Sequence, residues 1–149
     1  MVLKILTIEN PILRKKAKKI ERIDEEVKKL AEDMLETMKS YNGVGLAATQ
    51  IGKNVRLIVV NYDEKDYIFI NPEIIKKEGE NIDIEGCLSI PGVEIPVKRA
   101  DKILLKYQNL KGRELIMEAT DLFARIIQHE IDHLDGILII DKIEEDVKT

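Results

Sequence analysis

The sequence has little cysteine and no long apolar run. Cys87 is the single cysteine among 149 residues, so no disulfide can form within the chain. No segment approaches the roughly 20 consecutive apolar residues that a membrane-spanning helix needs. The apolar part of the first eleven residues, MVLKILTIENP, is too short for a signal peptide. We therefore expect a soluble protein of the reducing cytoplasm, with no membrane partner.

An excess of positive charge is also lacking. The chain has 24 basic and 28 acidic residues, which gives a formal net charge of −4. Proteins that bind nucleic acid generally carry a basic surface, so we expect no nucleic-acid partner. Apolar residues make up 44% of the chain. At this length roughly two thirds of the unfolded surface can be buried, and we expect a single domain over residues 1–149.

Two helices are predicted, one near each end of the chain. Asp24 is a suitable N-cap for a helix over residues 25–41, whose apolar side chains recur at helical spacing. A second helix is predicted from Thr120 or Asp121 to Leu134.

The chain between the helices is rich in β-branched residues and predicts a run of strands. They cover residues 55–60, 66–72, 73–79, two strands within 90–109, and 113–119, with a last short strand at 136–141. The other segments predict a basic surface arm at 11–21, a loop at 46–54 and a charged tail at 142–149. This order indicates an α+β fold with mostly antiparallel sheets.

The stretch QHEIDHLDG, residues 128–136, contains both histidines of the chain. Because His129 and His133 are four residues apart in a predicted helix, both imidazoles can point at one metal ion. Glu130 would then lie beside the metal, where a carboxylate can take a proton from water. The alternative is that two histidines share a helix face without binding anything. Flanking isoleucines, which would form an apolar wall, favour the metal site.

A catalytic metal of this kind usually has three protein ligands. Ile139 occupies the position at which one known pattern has a third histidine, and the downstream acids Glu144 and Glu145 lie in the predicted tail. The third ligand is therefore expected upstream of the helix. Cys87 is the candidate, since a thiolate is a strong ligand for a transition metal. Its alternative role is that of a small buried apolar side chain.

A glycine-rich stretch, NGVGLAATQIG, covers residues 42–52. It lacks the G-K-[ST] ending of a phosphate-binding P-loop, and it does not follow a strand as a dinucleotide fingerprint does. Glycines at this spacing would allow close approach of a peptide backbone or of the metal site. A plain turn that ends the first helix is the alternative.

Together these three stretches resemble the motifs of the peptide deformylases. The matching segments are GVGLAATQ (43–50), EGCLS (85–89) and QHEIDHLDG (128–136), which occur in the order of that family. The resemblance implies sheets packed around a C-terminal metal-ligand helix, with a second helix near the N-terminus. It also implies removal of the formyl group from N-formylmethionyl peptides and nascent chains, with release of formate.

The resemblance assigns the metal site and the catalytic residues. It implies one divalent metal per chain, with iron(II) expected and zinc, nickel or cobalt as replacements. Glu130 would be the general base, while the Gln50 side chain and the Leu88 backbone N–H would receive the developing oxyanion. The implied metal ligands are Cys87, His129 and His133.

Substrate contacts are expected around the same motifs. Three glycines would let the substrate run alongside as an extra strand, namely Gly43, Gly45 and Gly86. Three apolar residues are candidates for the methionine pocket or for the core, namely Val44, Leu122 and Ile126. We also predict a buried pair between Asp132 and Arg99 that steadies the ligand helix.

Two positions depart from the pattern of many bacterial members. Glu94 stands near the place where an arginine or tyrosine follows SIPG, so contacts beyond the methionine differ. The tail IEEDVKT is acidic, where many members continue into a basic helix that docks on the ribosome. Any transient ribosome contact is therefore not expected to use a long basic C-terminal helix.

Two other functions compete with deformylation. A zinc peptidase of the H-E-x-x-H type would need a downstream acidic or histidine ligand. A metal-binding module without activity would need neither Glu130 nor Gln50, so the presence of both favours an enzyme.

Overall fold

The computed structural model describes residues 1–142, and the predicted tail beyond Lys142 lies outside the described residues. The two helices are α1 (Glu25–Ser40) and α2 (Asp121–Leu134). The strands are β1 (Gly45–Ala47), β2 (Leu57–Tyr62), β3 (Lys65–Glu78), β4 (Asn81–Cys87), β5 (Ile90–Arg99), β6 (Lys102–Gln108) and β7 (Glu114–Thr120). Short 3-10 helices cover Pro11–Arg14, Ala48–Ile51 and Ile139–Lys142. Within residues 1–142 neither α-helix is long and apolar enough to cross a membrane.

The strands form two antiparallel sheets. Five of them make one sheet in the order β1-β2-β3-β6-β7, while β4 and β5 form a separate hairpin. Helix α2 packs between these sheets, and all of its residues except Asp121, Leu122 and Asp132 are buried. The predicted α+β fold is confirmed, with the C-terminal helix surrounded by sheets.

Both helices begin and end close to their predicted limits. The Asp24 side chain accepts a hydrogen bond from the Val27 N–H at 3.1 Å, which satisfies a free donor at the start of α1. The end of α2 is closed by the arm that precedes α1. There the Ala17 N–H donates to the Leu134 carbonyl at 2.7 Å. This contact fixes the end of the helix that contains both histidines.

The basic arm at residues 11–21 is more buried than the sequence predicted. Three of its apolar residues, Leu13, Ala17 and Ile20, are buried, while its lysines are exposed. The prediction of a surface arm was therefore only partly correct. The loop expected at 46–54 instead contains the last two residues of β1 and a 3-10 helix.

Two strand predictions were wrong. The strands predicted at 66–72 and 73–79 are a single strand, β3, which continues past Asn71 to Glu78 through an irregularity in its pairing with β6. Asn71 adopts a φ of 52°, and its side chain bonds both the N–H and the carbonyl of Ile20. The strand expected at 136–141 is a turn and a 3-10 helix, because Leu138 and Ile139 bury their side chains without pairing with a strand. Strand β4 was not predicted.

Gly136 allows the arm to approach the end of α2. Its φ is +73°, and an added Cβ would lie 2.5 Å from the Arg14 carbonyl oxygen. A side chain would thus be opposed by backbone strain and by a clash with main-chain atoms.

We predict that Gly136→Ala lowers the free energy of unfolding by about 2–5 kcal/mol, the sum of left-handed strain and overpacking. Gly112→Ala is the matched control, since its φ is +79° and its nearest neighbour would lie at 3.9 Å. The control should lose only about 1–2 kcal/mol from strain. Urea denaturation measures both, and equal losses would show that the contact with Arg14 has no effect.

Candidate metal centre and substrate cleft

Three potential metal ligands meet between the hairpin and α2. Cys87 ends β4, while His129 and His133 are one turn apart on α2. Their ligand atoms all lie within 4.8 Å of one another. His133 Nε2 is 3.3 Å from Cys87 Sγ. The structure therefore brings the predicted upstream cysteine to the two histidines.

The donor set fits a divalent transition metal. One thiolate and two imidazoles are the ligands that iron(II), zinc and similar ions accept in proteins. Two buried atoms near this cluster, His133 Nδ1 and Glu130 Oε1, have no hydrogen-bond partner within residues 1–142. Unpaired polar atoms are rare in interiors, and here they indicate a site that is completed by a bound group.

Glu85 orients the first histidine. Its Oε1 atom accepts a hydrogen bond from His129 Nδ1 at 2.9 Å, which leaves His129 Nε2 for the metal. Glu85 also accepts two bonds from Arg99, at 2.9 and 3.0 Å, and a further bond from Arg125. Arg99 in turn donates to Asp132.

The predicted contact between Arg99 and Asp132 thus exists, but it belongs to a larger charge cluster of Glu85, Arg99, Arg125 and Asp132. The roles of Glu85 and Arg125 were not predicted from the sequence. Strand and helix periodicity could have indicated both. Glu85 lies two residues before Cys87 on β4, and Arg125 lies four residues before His129 on α2.

Burial and charge shift the pKa values of three ionisable groups at this site. Burial is the main cause that raises the pKa of Glu130 to about 7. Burial also lowers the pKa of His133 well below its usual value. For His129, burial lowers the pKa, but the Glu130 charge and hydrogen bonds to Cys87 and Glu85 together raise it to about 10. A bound cation would favour neutral imidazoles and a carboxylate at Glu130.

Gln50 points its amide N–H into the site. Its Oε1 atom accepts from the Ala47 N–H at 2.9 Å, which fixes the side-chain orientation. Its Nε2 atom donates to Ser89 Oγ at 3.1 Å and lies 3.8 Å from Cys87 Sγ. Leu88 follows Cys87 and lines the same cleft. Both predicted oxyanion donors are therefore placed beside the ligand cluster.

The glycines make room for different neighbours. A Cβ on Gly45 would lie 2.6 Å from Glu130 Oε2, so the missing side chain lets the Glu130 carboxylate lie against β1. A Cβ on Gly43 would lie 2.9 Å from the Leu88 side chain. At Gly86 the nearest atoms would be 3.7 Å away, so that position faces open space.

An open cleft of about 930 Å³ leads to the ligand cluster. The three residues predicted for the methionine pocket line it together. Val44 and Leu122 are 53% and 55% exposed, so they are not core residues, whereas Ile126 is buried. All the glycines predicted to contact substrate line the cleft as well.

Comparison with known proteins identifies the family. The sequence model of the family described as polypeptide deformylase matches residues 2–149. The chain belongs to the polypeptide deformylase family. The predicted resemblance is thereby confirmed, and members of this family are metal-dependent hydrolases that remove the N-terminal formyl group of nascent peptides.

Relatives of this deformylase match along nearly the whole chain. Peptide deformylase of Dictyoglomus thermophilum is 57% identical over 150 residues, which cover 100% of this chain and 98% of the relative. The crystal structure from Thermotoga maritima superposes with a TM-score of 0.95 at 41% identity, covering 97% and 99% of the two chains. The crystal structure of a class I type b peptide deformylase from Acinetobacter baumannii with Met-Ala-Ser bound superposes with a TM-score of 0.93 at 32% identity. The match covers 96% of this chain and 99% of that chain.

We predict that Arg99→Ala lowers the free energy of unfolding of this deformylase by about 3–5 kcal/mol, because Glu85 and Asp132 lose their buried partner. The affinity for the metal should also fall about 10–100-fold, since Glu85 no longer holds His129 as firmly. The purified variant should therefore retain less metal. Lys76→Ala is the control. It removes an exposed pair with Glu78 at 3.1 Å and should change neither quantity appreciably. Denaturation curves and elemental analysis test this, and an unchanged Arg99→Ala protein would contradict the positioning role.

Proposed function

We propose that this deformylase hydrolyses the formamide of N-formylmethionyl polypeptides, with Glu130 as the general base beside one divalent metal. The observation that carries the proposal is the place of Glu130. It lies buried at the floor of an open cleft, next to three converging ligands, with one carboxylate oxygen unpaired. The metal would be held by Cys87, His129 and His133.

The cleft suits an extended peptide. Strand β1 is an edge strand of the five-stranded sheet, and β4 belongs to the separate hairpin. Residues of both strands line the cleft. Gly43 and Gly86 expose backbone there, so the substrate can add as a strand. The related Acinetobacter baumannii enzyme has Met-Ala-Ser bound, a peptide that begins with methionine. We infer that the methionine side chain packs against Val44, Leu122 and Ile126.

The chain's own residues account for the proton transfers. When bound, a divalent metal supplies a Lewis acid that polarises the formyl carbonyl and acidifies water. Glu130 takes a proton from water as the water oxygen bonds to the formyl carbon. Glu130 then gives the proton to the amine nitrogen as the C–N bond breaks, which releases formate and a free amino terminus. Gln50 and the Leu88 N–H stabilise the negative oxygen, and loss of one such donor typically costs about 10²–10³ in rate.

Iron(II) is the metal that we propose for the enzyme in the cell, with zinc, nickel or cobalt as replacements. A thiolate ligand next to iron(II) is open to oxidation, so activity should be lost in air. We further propose one catalytic domain over residues 1–149. We also propose that it acts in the cytoplasm on nascent chains and contacts the ribosome transiently, since its substrates emerge there.

The test is formate release from formyl-Met-Ala-Ser by protein purified without oxygen, with metal measured by elemental analysis. We expect release by the wild type. Glu130→Gln should keep its metal and lose about 10²–10⁴ in kcat, because the base is absent. A Glu130→Gln protein that kept full activity would exclude the base role.

The same assay separates the alternative functions. A peptidase would cleave internal bonds of unformylated peptides, whereas a metal-binding module would retain metal and release no formate. Activity confined to the formylated peptide supports deformylation.

Gly45 and Gly86 offer a paired test of the cleft. Gly45→Ala places a methyl group against the Glu130 carboxylate. A displaced base should lower kcat by about 10-fold or more, with little change in KM. Gly86→Ala has room in the folded protein, so it should instead raise KM by narrowing the path of the substrate. Steady-state kinetics with metal analysis distinguishes the two, and a shared loss of metal would refute both explanations.

A further inference from the structure

The charges of the cleft are unevenly distributed. Its acidic, basic and histidine side chains are Glu85, Glu94, Arg125, His129 and Glu130. Four of them are buried in the metal site or in the charge cluster behind it. Glu94 alone is exposed, and within residues 1–142 its side chain forms no ion pair or hydrogen bond. The rim of the cleft therefore presents one uncompensated charge, and it is negative.

The register of the hairpin places Glu94 on the substrate path. Glu94 on β5 pairs with Gly86 on β4, and partners across an antiparallel pair project from the same face. An added Cβ on Gly86 would lie 3.8 Å from Glu94 Cγ. The aliphatic part of the Glu94 side chain thus lies beside Gly86, one residue before the ligand Cys87.

We infer that Glu94 is a specificity-determining residue that favours formylated polypeptides with lysine or arginine soon after the methionine and disfavours aspartate or glutamate there. This inference rests on the proposed function, in which substrate passes Gly86 on leaving the metal site. The remaining rim side chains are uncharged, among them Tyr41, Asn42 and Pro91. Among residues 1–142, no cation of the rim therefore neutralises the carboxylate.

The size of the effect follows from solvent exposure. Exposed ion pairs are screened by water and salt, so attraction of a lysine or repulsion of a glutamate should each change kcat/KM by about two- to five-fold. The two effects act in opposite directions and multiply, so kcat/KM should be about 4- to 25-fold higher for the lysine peptide than for the glutamate peptide. The methionine pocket is apolar, and its preference does not depend on Glu94.

The test measures kcat/KM for formate release from amidated formyl-Met peptides of four residues. Lysine, glutamine or glutamate is placed in turn at position two, three or four. We expect the order lysine, glutamine, glutamate at one or more positions, and a smaller ratio at about 1 M salt, where the screening length is about 3 Å. Glu94→Gln should bring the ratio close to one, and Glu94→Lys should invert it.

Glu64→Gln is the matched control. Glu64 is exposed at the turn between β2 and β3 and does not line the cleft, so this variant removes the same charge elsewhere and should keep the wild-type ratio. A wild-type ratio near one at every position would overturn the inference, as would a ratio that persists in Glu94→Gln. Failure of the proposed function would differ, because even the glutamine peptides would then release no formate.

Discussion

The buried carboxylate of Glu85 is the contact on which the site depends. It accepts hydrogen bonds from a metal-ligand histidine on α2 and from Arg99 at the end of β5. A carboxylate so deep in the protein is stable only because cations and N–H donors surround it. Burial alone would raise its pKa, yet hydrogen bonds from His129 and Arg99 bring the pKa to about 2. One side chain thus links three elements of the fold.

This link explains how a small hairpin can supply a ligand. Strands β4 and β5 form a sheet of their own, so the position of Cys87 relative to the histidines is set by side chains. The Glu85 contacts hold the hairpin against α2 on one side. On the other side Gln50 reaches Ser89, just beyond the cysteine. The cleft lies between these two contacts, with Gly45 beside the Glu130 carboxylate at its floor and Gly86 toward its opening.

The ligands were predictable because local periodicity determines their geometry, as the four-residue spacing of His129 and His133 shows. The charge cluster was less predictable, since its members come from three elements whose contacts depend on tertiary packing. The fold shows the same limit. The β-branched segment at 136–141 forms no strand, because burial beside the hairpin satisfies its apolar residues. The break predicted between the strands at 66–72 and 73–79 is absent, because the Asn71 side chain bonds the neighbouring arm.

The charge cluster constrains how this sequence can vary. Two guanidinium groups face two carboxylates, so the cluster is neutral as a set, although its members are separated by up to 47 positions in the chain. Replacement of one member leaves a buried charge without its counterpart. Substitutions here should therefore persist only when a second, distant position changes with the first. Among related chains these four positions should vary jointly or remain fixed, even though Glu85 is the one member whose side chain hydrogen-bonds the side chain of a metal ligand within residues 1–142.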